Sequence, residues 1–343
     1  MSVISTTEYP DWSPVQSTQP QLSTTENVIV QSWISIIAFI AIFWNAIVLV
    51  SSVKYNAIRL DRISIILIRN LAISDLGYGV YMVISLVNLV YKRAVLGSVP
   101  CYIATMISHS LLAASCCFLV ALNVSKLIAL LFPLQSTTRS FERGYKISIL
   151  IWTLIVVCHI AYILAVLIPG DFNVKYDYNS FKCTATQEAR ASVILGTLIN
   201  VMFTLIPILL ILVTTVWMLR YVMPLQGIQR QGVVTLIVVS AVFFFSLLPA
   251  ITYFILRQVL SESVKSAAWF SQLYRVILLA ICINSAANPL CYLMTVHSFG
   301  AFIKMKLKAG RKQLMLMLRL RSRLNRMAAI LQQHLANLNL QPQ

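Results

Sequence analysis

The chain has 343 residues, of which 59% are hydrophobic and only 11% are charged. Soluble domains carry about a quarter charged residues, so this composition excludes an ordinary soluble protein and indicates that lipid is the main solvent. The net charge of +17 does not point to nucleic acid, because the segment after Gly300 is rich in Lys and Arg, has no acidic residue and directly follows a predicted membrane span. Anionic cytoplasmic lipid explains such a segment better.

Seven apolar stretches are each long enough to cross a bilayer, which takes about 20 residues of helix. They are predicted at roughly 32–53, 63–90, 101–132, 147–169, 192–221, 232–256 and 268–294. Helices are favoured because backbone groups in lipid must satisfy one another's hydrogen bonds. The short connections predict sequential antiparallel packing. The predicted fold class is therefore an all-α membrane protein with a seven-transmembrane helix bundle.

The basic residues give the orientation, because Lys and Arg collect in the loops on the cytoplasmic side. With the amino terminus outside, most of the 27 basic residues fall in the inner loops and the tail. The sequence thus predicts a multi-pass plasma-membrane protein. Its parts are an extracellular amino-terminal tail at 1–31, a membrane domain at 32–296 and a cytoplasmic segment at 297–343.

The cytoplasmic segment has an amphipathic pattern. Apolar residues recur there at three- and four-residue steps, which places them on one face of a helix, and arginines cluster in its first half. Such a helix can lie on anionic lipid, bind a calmodulin-like partner or self-associate. Membrane lipid is the partner we favour. The apolar face comprises Met317, Leu320, Leu324, Met327, Leu331, Leu335 and Leu338.

Several polar residues lie where lipid should surround them. Asp75 is in the middle of the second span, and an acidic residue at that depth usually marks a functional site. One interpretation is a hydrogen-bond network between helices. The other is a site for a small hard cation with oxygen ligands. Spacing alone favours the network. The other polar residues at similar depth are Asn45, Ser115, Asn284, Ser285 and Asn288.

Short motifs in successive spans resemble those of one receptor family. The seventh span ends in Asn288-Pro289-Leu290-Cys291-Tyr292, and the second contains Asn70-Leu71-Ala72-Ile73-Ser74-Asp75. Together and in order, these motifs are similar to those of the rhodopsin-like (class A) G-protein-coupled receptors, of which this chain looks like a divergent member. Phe299, after the seventh span, also matches the family pattern. So does one landmark residue in each of the first, fourth, fifth and sixth spans, which are Asn45, Trp152, Pro207 and Pro249.

The resemblance implies several further features. Phe299 would open a short amphipathic eighth helix, and Cys101 and Cys183 would form a disulfide that pins the second outer loop across the mouth of the bundle. No cofactor is implied apart from an allosteric sodium ion, which the resemblance favours over a purely structural network. Its ligands would be Asp75, Ser115, Asn284, Ser285 and Asn288.

The activation and coupling residues depart from the family pattern. Lys126 stands where the family has the arginine of Asp-Arg-Tyr, and Leu247 replaces the sixth-helix tryptophan. Lysine lacks the planar fork of arginine, and at a membrane boundary it can simply extend its charge to water. The residues expected to carry activation or coupling to a G protein are Lys126, Phe243, Leu247, Pro249, Asn288, Pro289 and Tyr292.

The outer half of the bundle is expected to hold the ligand. By the resemblance, Ser108 stands where amine receptors carry Asp, which argues against an amine ligand. Cys282 stands where opsins carry the lysine that binds retinal, which argues against retinal. His109 is a rare titratable group there, although a histidine satisfied within the core is the favoured interpretation. A small, weakly polar organic ligand fits best. The expected lining is Ser108, His109, Leu112, Ile251, Phe254, Tyr274, Leu278 and Cys282.

The sequence therefore favours a ligand-activated G-protein-coupled receptor, chemosensory in type, whose partners are a small extracellular molecule, a heterotrimeric G protein and membrane lipid at the basic tail. The alternative is a receptor-like binding protein that couples weakly or not at all. A transporter would show inverted repeats and interrupted helices, which we do not find. An enzyme is disfavoured, because no nucleophile, base and orienting group converge.

Overall fold

A computed structural model describes residues 24–54, 62–132, 141–168, 174–177, 182–185, 190–223, 225–260 and 268–295, together with separate positions between 304 and 327. Seven long helices run through these described ranges. They are α1 (Thr24–Lys54), α2 (Arg62–Tyr91), α3 (Ser98–Leu131), α4 (Phe141–Leu167), α5, α6 (Gly227–Val259) and α7 (Ala268–Thr295).

Helix α5 is not regular along its length. It begins as Arg190–Asn200, passes through a π-helical turn at Val201–Leu205 and continues as Ile206–Val222. Single π-helical turns inside α-helices are often found at functional sites. Here the turn widens α5 just before Pro207, which lacks a backbone N–H group.

Six of the helices, α1 to α6, are long and apolar enough to cross a membrane, so the chain is a multi-pass helical membrane protein. In α7 the described apolar section, Arg275–Cys291, is shorter. Helix α1 starts before the predicted boundary at residue 32, and Glu26 lies in its first turn, where the helix dipole stabilises negative charge. The predicted eighth helix cannot be traced through Phe299, which lies outside the described residues.

The sequential helices pack as neighbours, and α3 lies at the centre. It contacts α2, α4, α5 and α6, while α1 packs against α2 and α7. Helices α1 and α2 approach closely at Gly79, where an added Cβ would come within 2.9 Å of Ile42 Cγ1. The end of α1 is joined to the start of α2 by Arg69, which donates hydrogen bonds to Ser52.

The surface of the bundle carries many large apolar side chains. Phe118 and Phe243 are fully buried in the main core, whereas Leu150 is 59% and Phe245 is 71% exposed. Large exposed apolar faces are unfavourable in water, and lipid is the solvent that suits them. Apolar composition alone therefore does not identify which face of each helix is inside.

A short β-hairpin covers one end of the bundle. Strand β1 (Val174–Asp177) pairs antiparallel with β2 (Lys182–Ala185), and Tyr176 is opposite Cys183. A disulfide joins Cys183 to Cys101 in the first turns of α3. This is the pairing that the family resemblance implied, whereas the strands were not anticipated by the all-α prediction. We refer to this side of the molecule as the hairpin end.

A second set of polar contacts joins α2 to α4. Trp152 Nε1 donates a hydrogen bond of 2.9 Å to Asn70 Oδ1, and Asn70 Nδ2 donates one of 3.1 Å to Ser148 Oγ. Trp152 and Asn70, which both belong to the family pattern found in the sequence, are thus in direct contact. Interhelical hydrogen bonds of this kind hold membrane helices together in the absence of a hydrophobic driving force.

Candidate functional site

A cavity of about 360 Å³ opens between the helices at the hairpin end. Cavities of this size between helices are the usual places for small-molecule binding. The described lining includes six of the eight residues predicted from the sequence, and the side chains of Phe254 and Tyr274 lie outside the described ones. The six are Ser108, His109, Leu112, Ile251, Leu278 and Cys282.

Among the described residues that line the cavity, Lys182 is the only Lys, Arg, Asp or Glu. It precedes Cys183, so the disulfide to α3 holds its strand over the cavity. The sequence analysis missed this residue. Its position next to a disulfide cysteine was the signal that could have identified it.

Other polar residues of the lining were also missed. Tyr78 and Tyr81 come from α2, whereas Asn200 and Thr204 come from the segment of α5 that includes the π-helical turn. No motif marks these positions, because a π-helical turn changes which side chains face the bundle without leaving a sequence signature. Most of the remaining lining residues are Leu, Ile, Val, Ala and Met, so the cavity is mostly apolar.

A buried polar cluster lies one helical turn below the cavity floor and is centred on Asp75, which is only 1% exposed. Ser115 Oγ donates a hydrogen bond of 2.8 Å to Asp75 Oδ1, and Asn288 Nδ2 donates one of 2.7 Å to Asp75 Oδ2. The Ser285 side chain also forms a hydrogen bond with this carboxylate. The cluster therefore joins α2 to α3 and α7 through a single carboxylate.

Asn45 extends this polar cluster to α1. Its Nδ2 donates hydrogen bonds to the backbone oxygens of Ala41, at 2.8 Å, and Ser285, at 2.9 Å. Four helices thus meet at the depth where the sequence placed its unexpected polar residues. These contacts have the form of the interhelical network that we considered from spacing alone.

The same polar cluster has features that suit a cation. Asn284 is completely buried, and neither its Oδ1 nor its Nδ2 has a hydrogen-bond partner in the described part of the chain. An unpaired buried amide costs free energy unless something satisfies it. Carboxylate, hydroxyl and amide oxygens are the donors that hard cations prefer. The residues present therefore fit a small cation, although the groups of three or more His, Cys, Asp or Glu typical of other metals do not occur in the described chain.

Comparison with known proteins decides the family. The model of the 7 transmembrane receptor (rhodopsin family) matches residues 44–292, most of the chain. The chain belongs to the rhodopsin family of seven-transmembrane receptors. No curated protein matches it. Members of this family are receptors rather than enzymes, and their partners are in general an extracellular ligand and a G protein.

The receptor's predicted activation residues lie in different surroundings. Phe243 and Leu247 are buried on α6, and Leu247 also lines the cavity. Pro249 and Pro289 interrupt the backbone hydrogen bonding within α6 and α7. Lys126 is partly buried near the other end of α3. The side chain of Tyr292 lies outside the described ones.

Another buried hydrogen bond joins the receptor's α3 and α6. Asn123 Nδ2 donates to Ser240 Oγ at 2.8 Å, and both residues are almost fully buried. Asn123 lies one turn before Lys126 on α3. The sequence analysis did not single out this pair, although an asparagine inside a predicted span was the available signal.

Proposed function

We propose that this chain is a ligand-activated G-protein-coupled receptor of chemosensory type, with seven membrane crossings and an extracellular amino terminus in the plasma membrane. The hairpin end would be the extracellular one. The disulfide supports this orientation, because such bonds persist in oxidising compartments. Helix α7 would complete the crossings, since its helical length of 28 residues exceeds the bilayer core.

The observation that carries the proposal is the cavity at the hairpin end. Its volume suits a small organic molecule, and its walls are mostly apolar. Ser108 offers no carboxylate to a cationic amine. Lys182 offers an ammonium group, which would bind an oxygen acceptor on the ligand. The ligand is therefore proposed to be small, weakly polar and free of a strongly basic group.

The cavity is tested by filling it. Leu112→Trp places a large ring in the lining, whereas Ile107→Trp places the same ring on a lipid-facing position of the same helix, 52% exposed. Cells that express each variant are screened with odorant-like molecules, lipids and peptides. We expect Leu112→Trp to weaken the response to an active small molecule at least about tenfold, which is about 1.4 kcal/mol, and Ile107→Trp to leave it unchanged.

Activation by peptides alone would contradict the small-molecule proposal. An equal loss in both tryptophan variants would contradict the assignment of the cavity as the ligand site. Surface labelling of each variant, measured in the same cells, separates these outcomes from poor expression.

The second candidate is a receptor that binds ligand but couples weakly. Lys126 and Leu247 support it, because they replace the arginine and tryptophan that act as switches in the family resemblance. A lysine can still present a charge to a G protein, but it makes no bidentate contact. The two candidates share the cavity and differ in whether ligand binding is transmitted to a G protein.

The coupling residue is tested by Lys126→Arg. We expect the substitution to raise the basal or ligand-driven signal several-fold in a panel of G-protein sensors, because the guanidinium restores the planar donor set. Lys126→Gln, which removes the charge, should lower the signal. Silence of the natural chain and of both variants, with normal surface expression, would instead favour the weakly coupled receptor.

We also propose that the polar cluster binds sodium as an allosteric ion. Asp75, Ser115, Asn284, Ser285 and Asn288 would hold it. The unpartnered amide of Asn284 supports the proposal, since a cation would satisfy its Oδ1. The ion would supply positive charge that neutralises the buried carboxylate and favours the packing in which α2, α3 and α7 converge.

Sodium binding is tested by thermal denaturation of the solubilised protein. The midpoints of denaturation are compared in sodium chloride and in choline chloride at equal ionic strength. At about ten times the dissociation constant, binding adds about 1.4 kcal/mol to stability, so the midpoint should rise in sodium. Asp75→Asn should abolish the rise, whereas Asn123→Ala, outside the polar cluster, should retain it. A natural chain with the same midpoint in both salts would refute the ion site.

The basic tail is proposed to lie on anionic lipid at the cytoplasmic surface. Its described positions between Lys304 and Met327 are helical and exposed. Met317, Leu320, Leu324 and Met327 are each at least half exposed, as an apolar face without a protein neighbour would be. Leu331, Leu335 and Leu338 lie outside the described residues.

A further inference from the structure

A second recess lies on the outside of the bundle, between α3, α4 and α5. Its volume is about 550 Å³, and we call it the α3–α5 groove. Apart from Ser125 and Arg143, its described lining is apolar. None of its lining residues belongs to the ligand cavity at the hairpin end. The groove therefore requires an explanation of its own.

The groove opens toward lipid rather than toward the bundle axis. Met202, Ile206 and Leu210 on its α5 wall are 55%, 45% and 43% exposed. Met202 belongs to the π-helical turn, and methionine adapts its shape to irregular apolar partners. In a bilayer, the occupant with access to this recess is a hydrocarbon chain.

The length of the groove matches one leaflet. It follows α3 from Cys117, near the middle of the helix, to Ile128 near its end. At 1.5 Å per residue this distance is roughly 16 Å. The hydrocarbon core is about 30 Å thick, so the groove extends from the midplane to one boundary, the one opposite to the hairpin end.

The boundary end of the groove carries a positive charge. Arg143 is exposed in the first turn of α4, and it has no hydrogen bond or ion pair within the described part of the chain. By contrast, Lys146 one turn later is paired with Glu142 at 2.7 Å. A guanidinium binds phosphate through two parallel hydrogen bonds. Its aliphatic stem can follow the apolar wall while the charge stays at the interface.

We propose that the α3–α5 groove binds one acyl chain of an anionic phospholipid, with the net negative headgroup against Arg143. The apolar wall of the groove accounts for the acyl chain, and the length of the groove accounts for its depth in one leaflet. The exposed guanidinium of Arg143, which has no partner among the described residues, accounts for the charge of the headgroup. Given the proposed orientation, this lipid belongs to the cytoplasmic leaflet, which is the anionic one. The binding site itself does not depend on the ligand or on the G protein.

Photo-crosslinking of the full-length protein in nanodiscs tests the site. The probes are phosphatidylserine and phosphatidylcholine, each with a diazirine in one acyl chain, and labelled peptides are located by mass spectrometry. We expect phosphatidylserine to label α3 and α5 groove peptides at least five-fold more than phosphatidylcholine. Arg143→Gln should remove this preference. Lys146→Gln, one turn away on the same helix but outside the groove, should retain it.

A filling substitution tests the acyl chain separately. Ala121→Phe projects a ring into the groove, so it should reduce labelling by both probes, and Ile149→Phe on the exposed face of α4 should not. If Ala121→Phe fails to fold by size-exclusion chromatography, competition by unlabelled phosphatidylserine replaces it and should reduce groove labelling.

Equal labelling by the two lipids with no effect of Arg143→Gln would overturn the proposal. A third sample contains a photoreactive sterol, and stronger groove labelling by the sterol than by phosphatidylserine would also overturn the proposal. Neither result bears on receptor signalling, because no ligand or G protein enters the experiment. A failure here and a failure of the proposed function are therefore distinguishable.

Discussion

A carboxylate in the middle of a membrane-spanning helix has no water around it, and the arrangement of the bundle follows from the need to replace that water. Asp75 obtains its hydrogen bonds from Ser115 on α3 and from Asn288 and Ser285 on α7. These partners come from helices distant in sequence, so the carboxylate is satisfied only when α2, α3 and α7 meet in one register. A buried polar group left unpaired would cost several kcal/mol in hydrocarbon.

The polar cluster and the ligand cavity are linked by geometry. Tyr78 lies one turn from Asp75 on α2, and Leu112 lies one turn from Ser115 on α3; both line the cavity. A ligand that moved these residues would therefore strain the hydrogen bonds one turn below. Leu247 lines the cavity from α6. Two turns earlier on the same helix, Ser240 accepts a hydrogen bond from Asn123, which lies near Lys126 on α3. Along α3, the cavity residue Leu112, Ser115 of the polar cluster, Asn123 and Lys126 thus follow one another from the hairpin end toward the opposite end of the bundle.

Much of this arrangement could be predicted from the sequence. The helices follow from apolar length, and six of the residues that line the cavity follow from the family resemblance. The hairpin could not be predicted, because strands of four residues depend on the disulfide and the helices beneath them. The π-helical turn leaves no signature. The α3–α5 groove was also missed, since buried and lipid-facing apolar residues are alike in composition, and only the structure separates them.

The central claim is that Asp75 and Asn288 stabilise the bundle through each other. A double-mutant cycle of Asp75→Ala and Asn288→Ala, with the free energy of unfolding measured in mixed micelles, tests it most directly. If the two side chains act through each other, the double variant loses less stability than the two single losses combined, by about 1–3 kcal/mol. The same cycle between Asp75 and Asn123, which hydrogen-bonds to Ser240 instead, should be additive. Additivity in the Asp75–Asn288 cycle would contradict the account.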